Sequence, residues 1–215
     1  MNKNIEVIYI YDTLCGWCNI AKPEIIKLSE RMDERIKFVF LHRKLFTKGN
    51  IPKISNTFLK NIYSAGNIKG SELIGQTFSD NYFKLIEKEN FIHDSGLTAR
   101  AAAASIIMLG EKKSHQFMHI LQSLIFDKGF DPNSKEILIE ATRICNIESS
   151  QFIKFAMNTI TNELLEQNLK MAITIQASLK NNGIPGLFLK TSHKIISLNP
   201  FDSNKVLNEV IKYSK

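Results

Sequence analysis

The 215 residues make a chain large enough for one sizeable domain or two small ones, and its 44% apolar share is ordinary for a globular protein. Lys plus Arg number 28 against 21 Asp plus Glu, a net +7 spread without a long basic block; that argues against nucleic acid and for a solvated surface. The three cysteines are few and odd in number for a disulfide-held secreted domain, and no apolar run is long enough to span a bilayer, so a cytoplasmic protein is expected, or a periplasmic one if a signal was trimmed from it.

The first element, "IEVIYIY" over Ile5–Tyr11, is β-branched, aromatic and short, and reads as a buried strand. From Cys15 to about Met32, Ile20, Ala21, Ile25 and Leu28 fall at helical spacing. "IKFVFLH" over Ile36–His42 is a second buried strand, which makes a βαβ unit with a right-handed crossover. A polar connection containing Gly49 and Pro52 follows. From about Ser55 to Lys180 strand signals fade, and five or six helices are expected. Among them are "SDNYFKLIEKENF", the Ala-rich run stopping at Gly110, a segment ending at Gly129 and one capped by Ser134. Short apolar runs return at Ile184–Leu189 and Lys194–Leu198, joined by "KTSH" as a hairpin. A terminal helix starts near Asp202 or Ser203, with Val206, Leu207, Val210 and Ile211 on one face. Two strands at each end cannot make two viable sheets. They must pair with each other, with the helical block inserted between them. The domain reading is therefore residues 1–54 with 181–215, and 55–180 as the insertion.

Cys15 and Cys18 stand three apart, separated by Gly16 and Trp17, between the first strand and its helix. A zinc clip needs two further ligands, and no second CxxC or well-placed His pair supplies them. His115 and His119, four apart on one helix, read as surface or partly buried residues rather than a metal face. A purely structural disulfide closing so short a loop gains little. Redox chemistry is the reading that remains, with no metal.

In "CGWCNIAKP" Pro23 lies eight positions after Cys15, and "NNGIPGLFL" supplies Gly183, Ile184 and Pro185 before a strand. With the β-α-β … β-β-α order, this resembles the thioredoxin fold, an α/β architecture, and the large all-helical insertion is similar to that of its DsbA-like branch. The spacing of Asp12, Cys15, Trp17 and Cys18 resembles that of disulfide isomerases and oxidoreductases in that branch. The resemblance implies a cis peptide at Pro185, with Ile184 offering backbone groups to an extended substrate segment. It also implies a thiol–disulfide oxidoreductase, reductase- or isomerase-like, acting on protein or peptide thiols and disulfides. No cofactor is needed beyond the redox-active pair. Glutathione or a thioredoxin-type dithiol is the candidate reductant. DsbA carries a histidine between its cysteines, where this chain has Gly16 and Trp17.

At the first turn of a helix, unpaired N–H groups and the dipole favour an anion, so Cys15 is expected to be the attacking sulfur. Cys18, deeper, resolves the mixed disulfide. Without the histidine, a poise of roughly −270 to −180 mV is expected. Trp17 offers an apolar face to substrate. Asp12 either accepts N–H bonds from the turn or tunes the thiols, and Gly16 is the other candidate tuning position. The alternative is a glutathione-dependent transferase or isomerase of the kappa type. That type carries serine at the position of Cys15, so the dithiol speaks against it. Cys145 and Met108, Met118, Met157 and Met171 read as core packing, and His42 as a solvated residue after the second strand.

Overall fold

The computed structural model describes residues 5–33, 36–46, 56–75 and 77–214. The connection with Gly49 and Pro52 lies outside them.

Four strands form one mixed sheet in the order β2-β1-β3-β4. β1 (Glu6–Tyr11) and β2 (Lys37–His42) run parallel, joined through α1 (Gly16–Arg31). β3 (Gly186–Lys190) is antiparallel to β1, and β4 (Ile195–Leu198) is antiparallel to β3. The strands from the two ends of the chain thus share a sheet, with β1 and β3 at its centre.

The near-continuous apolar run of β1 is explained by burial on both faces. Val7, Tyr9 and Tyr11 point to one side, against Ala21, Ile25 and Leu28 of α1 and Val206, Leu207 and Val210 of α9 (Ser203–Ser214). Ile8 and Ile10 point to the other, against Ala172 and Ile175 of α8 (Thr159–Ser178). The period of two within one strand therefore sorts its side chains between two helical layers.

Between β2 and β3 the chain forms α2 (Asn56–Ile74), α3 (Asp80–Ile86), α4 (Gly96–Leu109), α5 (Glu111–Phe126), α6 (Lys135–Ile144), α7 (Ser149–Ala156) and α8. That makes seven helices among the described residues, not five or six. The unread one is α2, whose "YSAGNIKGSE" carries two glycines and several weak helix formers. Tertiary packing overrides that propensity: Tyr63 of α2 joins Phe78, Tyr82 and Phe126 in a buried aromatic cluster. The same core takes in Leu14 and Ile20 from the start of α1, so the helical block and the sheet's own core meet at the turn that carries the cysteines.

Other expectations need correction. His42 is not solvated: it ends β2 at 2% exposure, its ring edge-on to Tyr11 at 5.1 Å. Ile211 of the terminal helix faces solvent, and so do Met157 and Met171, whereas Met118 is core. His119 is buried and His115 stacks on Phe40 at 3.8 Å. Cys145 is half-buried at the C-terminus of α6.

Candidate active site

The turn between β1 and α1 is built by its own backbone and by Asp12. The Cys15 N–H donates to the Asp12 carbonyl at 3.1 Å, and Cys15 becomes the N-cap of α1. A serine or aspartate at that position would accept an N–H from the first turn with oxygen. Here sulfur does so: the Cys18 N–H donates to Cys15 Sγ at 3.2 Å. No acidic residue occupies the first turn of α1, so the positive end of the helix is left to this sulfur. Cys15 is 6% exposed and Cys18 fully buried, and both are free thiols. Burial, reinforced by hydrogen bonding and charge from Cys15, holds the Cys18 thiol well above the ordinary cysteine range. The two sulfurs are therefore unequal: one is at a helix end near the surface, the other is proton-bearing and shielded.

The segment before β3 comes to the same place. The Ile184–Pro185 peptide bond is cis, and the Ile184 carbonyl oxygen lies 3.9 Å from Cys15 Sγ. Ile184 and Pro185 are half-buried beside the pair. Trp17 is half-buried too and meets Phe201, just ahead of α9, edge-on at 6.2 Å. Cys15, Cys18, Trp17, Ile184 and Pro185 thus converge from both ends of the chain.

Asp12 and Gly16 both make structural contacts at the turn. The Asp12 carboxylate is fully buried. It accepts the N–H groups of Leu14 and Leu45 at 2.8 Å, that of Phe46 at 3.4 Å and the Ser95 hydroxyl at 2.9 Å. It clamps the cysteine turn to the chain after β2 and to the start of α4. A Cβ on Gly16 would sit 2.5 Å from Tyr63 Cε1 and 2.9 Å from Phe78 Cζ. Glycine is needed there because α2 and the chain after it close over the turn, which no spacing rule could foresee.

Several contributors escaped the sequence. Thr13 donates its N–H to His42 Nε2 at 3.2 Å and shares a 2.6 Å hydroxyl contact with Thr98. Burial pushes the His42 imidazole below its usual range, partly offset by Asp12. Tyr63 donates its hydroxyl to the Leu14 carbonyl at 3.0 Å and lies equally close to His93 Nε2. The Tyr9 hydroxyl is 3.4 Å from the Cys18 carbonyl. The one legible signal was compositional: threonine and histidine standing beside an apolar strand end must find partners if buried. Among the described residues no three His, Cys, Asp or Glu side chains come together as metal ligands. Nor is any described helix long and apolar enough to cross a membrane.

Comparison with known proteins bears on the fold that carries this turn. A family model described as thioredoxin matches residues 9–188. No curated protein matches the sequence. Among solved structures, the cytosolic disulfide reductase DsbM from Pseudomonas aeruginosa superposes with a TM-score of 0.81 at 18% identity, over 97% of this chain and 99% of that one. A structure of the same reductase with GSH gives 0.79 at 19%, over 96% and 99%. The Pseudomonas aeruginosa DsbA gives 0.54 at 13%, over 97% and 81%. A 2-hydroxychromene-2-carboxylate isomerase gives 0.65 at 14%, over 97% and 95%. At such identities the likeness is one of fold, and it joins reductases and an isomerase alike. With the family model covering most of its length, this chain belongs to the thioredoxin family, and its fold, with helices inserted between β2 and β3, is like that of DsbM and DsbA.

Proposed function

We propose that the protein is a thiol–disulfide oxidoreductase working in the reducing or isomerising direction through Cys15 and Cys18. The observation that carries this reading is the inequality of the two sulfurs. Cys15 Sγ accepts an N–H at the unneutralised end of α1, whereas Cys18 is fully buried with a raised pKa. A thiolate is the nucleophile, and a helix N-terminus favours one.

The steps balance as ordinary exchange. The Cys15 thiolate attacks one sulfur of a substrate disulfide, forming a Cys15–substrate bond and releasing the other sulfur as thiolate. Cys18 passes its proton to the released substrate thiolate and attacks Cys15 Sγ. The Cys15–Cys18 bond forms, and the substrate leaves fully reduced. Two thiols of glutathione, or one external dithiol, then reduce the pair and are themselves oxidised to a disulfide. The GSH bound in the DsbM structure supports a glutathione-type reductant. An extended substrate segment pairs with the Ile184 backbone, and Trp17 and Phe201 offer it an apolar wall. The kappa-type alternative would use a single side chain at position 15 to hold glutathione, and the retained Cys18 has no part in that chemistry.

Insulin reduction driven by glutathione or dithiothreitol tests the reading. The wild type is expected to accelerate precipitation of the B chain, and Cys15→Ala to abolish the effect. Cys18→Ala is expected to accumulate mixed disulfides at Cys15, visible by mass spectrometry. Undiminished activity without Cys15 would refute the assignment. Conjugation of glutathione to a chlorodinitrobenzene acceptor by the double cysteine variant would favour the transferase instead.

A further inference from the structure

We propose that Gln176, held by Arg43, is a positioning residue that sets the Ile184 carbonyl against Cys15 and so governs the docking of extended protein substrates. The inference deepens the thiol–disulfide reading and rests on it. Gln176 stands two residues before the end of α8 and is fully buried. A buried amide must be paired, and each end of this one is paired with a different part of the site. Its Nε2 donates to the Gly183 carbonyl at 2.9 Å, and its Oε1 accepts from Arg43 Nε at 2.8 Å. Its own backbone carbonyl accepts the Asn181 N–H at 3.0 Å. Arg43 in turn donates its N–H to the Tyr11 carbonyl at 2.7 Å, one residue ahead of Asp12.

Gln176 and Arg43 together therefore bridge the two segments whose approach makes the site. On one side is the loop 181–184, whose last carbonyl lies 3.9 Å from Cys15 Sγ. On the other is the end of β1, which runs through Asp12 into the cysteine turn. The bridge needs a donor toward a carbonyl and an acceptor toward a guanidinium at once. Glutamine provides both. Glutamate keeps the shape and the acceptor, but turns a second oxygen on the Gly183 carbonyl.

The variant Gln176→Glu separates this role from general stability. Its effect should be largest on substrates that use the loop's backbone. KM for insulin is expected to rise about tenfold with kcat within about twofold, the scale of one lost buried hydrogen bond. Turnover of 2-hydroxyethyl disulfide, which has no backbone to pair, is expected to fall by a clearly smaller factor. Arg43→Lys, which keeps the charge and removes the Nε donor, is expected to shift KM the same way by a smaller factor. Amide exchange over 179–184 is read in parallel, because it does not depend on activity, and should quicken in both variants. Unaltered exchange overturns the bridge whatever the kinetics, and equal loss on both substrates overturns its docking role. A wild type that reduces neither substrate overturns the oxidoreductase reading and this proposal with it. That outcome differs from failure of the bridge alone, in which the wild type is active and exchange is unmoved.

Discussion

Gly16 sits where α2 and the segment after it press on the cysteine turn, and the closeness of Tyr63 and Phe78 gives it a steric role. Gly16→Ala is expected to lower stability by about 1–3 kcal/mol, because rings in a packed core must move for the new methyl group. Urea unfolding measures this. Pairing the variant with Tyr63→Leu should recover part of the loss if the clash is the cause; an unaffected midpoint in the single variant contradicts the packing. At this scale the residues that converge at the turn were legible and their supports were not. Cys15 and Cys18 stand out by their spacing, and Pro23 and Pro185 by the resemblance to the thioredoxin fold. Asp12 left two readings open on sequence, and its four donors favour the structural one. Those donors come from three separated stretches of chain, so no local pattern could have named them.

Glu24 ties α1 to the start of α9, beside the apolar contacts the two helices share. Its carboxylate accepts both the N–H and the hydroxyl of Ser203, at 3.0 and 2.7 Å, and meets Lys27 at 2.6 Å. The bonds from Lys27 and then Ser203 pull its pKa down to about 2. A carboxyl depressed in the folded state contributes stability above its unfolded value near 4.3, and that contribution fades as pH falls toward about 2. Glu24→Ala is expected to cost about 1 kcal/mol at pH 7 by leaving the Ser203 N–H at the start of α9 without its acceptor. It should quicken amide exchange in the first turn of α9 while leaving the sheet protected; uniform quickening throughout would contradict a local cap. Among elements, β1, β2 and α1 were plain because burial on both faces writes a continuous apolar strand and one buried face writes a helical period. Strands β3 and β4 were plain for their brevity beside a hairpin. α2 was not, because its stability comes from the aromatic cluster it joins and not from its own sequence.

Taken whole, the molecule buries more imidazole than its chemistry requires. Burial holds His93 and His115 down to about 4 and His119 to about 3. Each is neutral when folded and titrates near 6.5 when unfolded. Their contribution is complete above about pH 6.5 and is lost as pH falls from there toward 4, since the unfolded chain takes up protons the folded one refuses. The slope is about 1.4 kcal/mol per pH unit for each histidine once it is fully engaged. Glu24 does not mask this, because its own loss begins only below about 4.3. A urea midpoint well below its pH 7.5 value at pH 5 is the expected outcome; equal midpoints would contradict burial of the imidazoles.

The order of elements around the sheet was readable from the chain because two strands at either end cannot form separate sheets. How the seven inserted helices pack was not readable, since their contacts are set by shape across long separations. The account turns on which sulfur is the nucleophile, and timed alkylation of the reduced protein decides it. Cys145 is the most exposed of the three thiols, so access alone would have it modified first. With limiting iodoacetamide at pH 7, mass spectrometry should find Cys15 carboxamidomethylated ahead of Cys145, and Cys18 last. Modification of Cys145 or Cys18 before Cys15 would contradict a thiolate held at the end of α1.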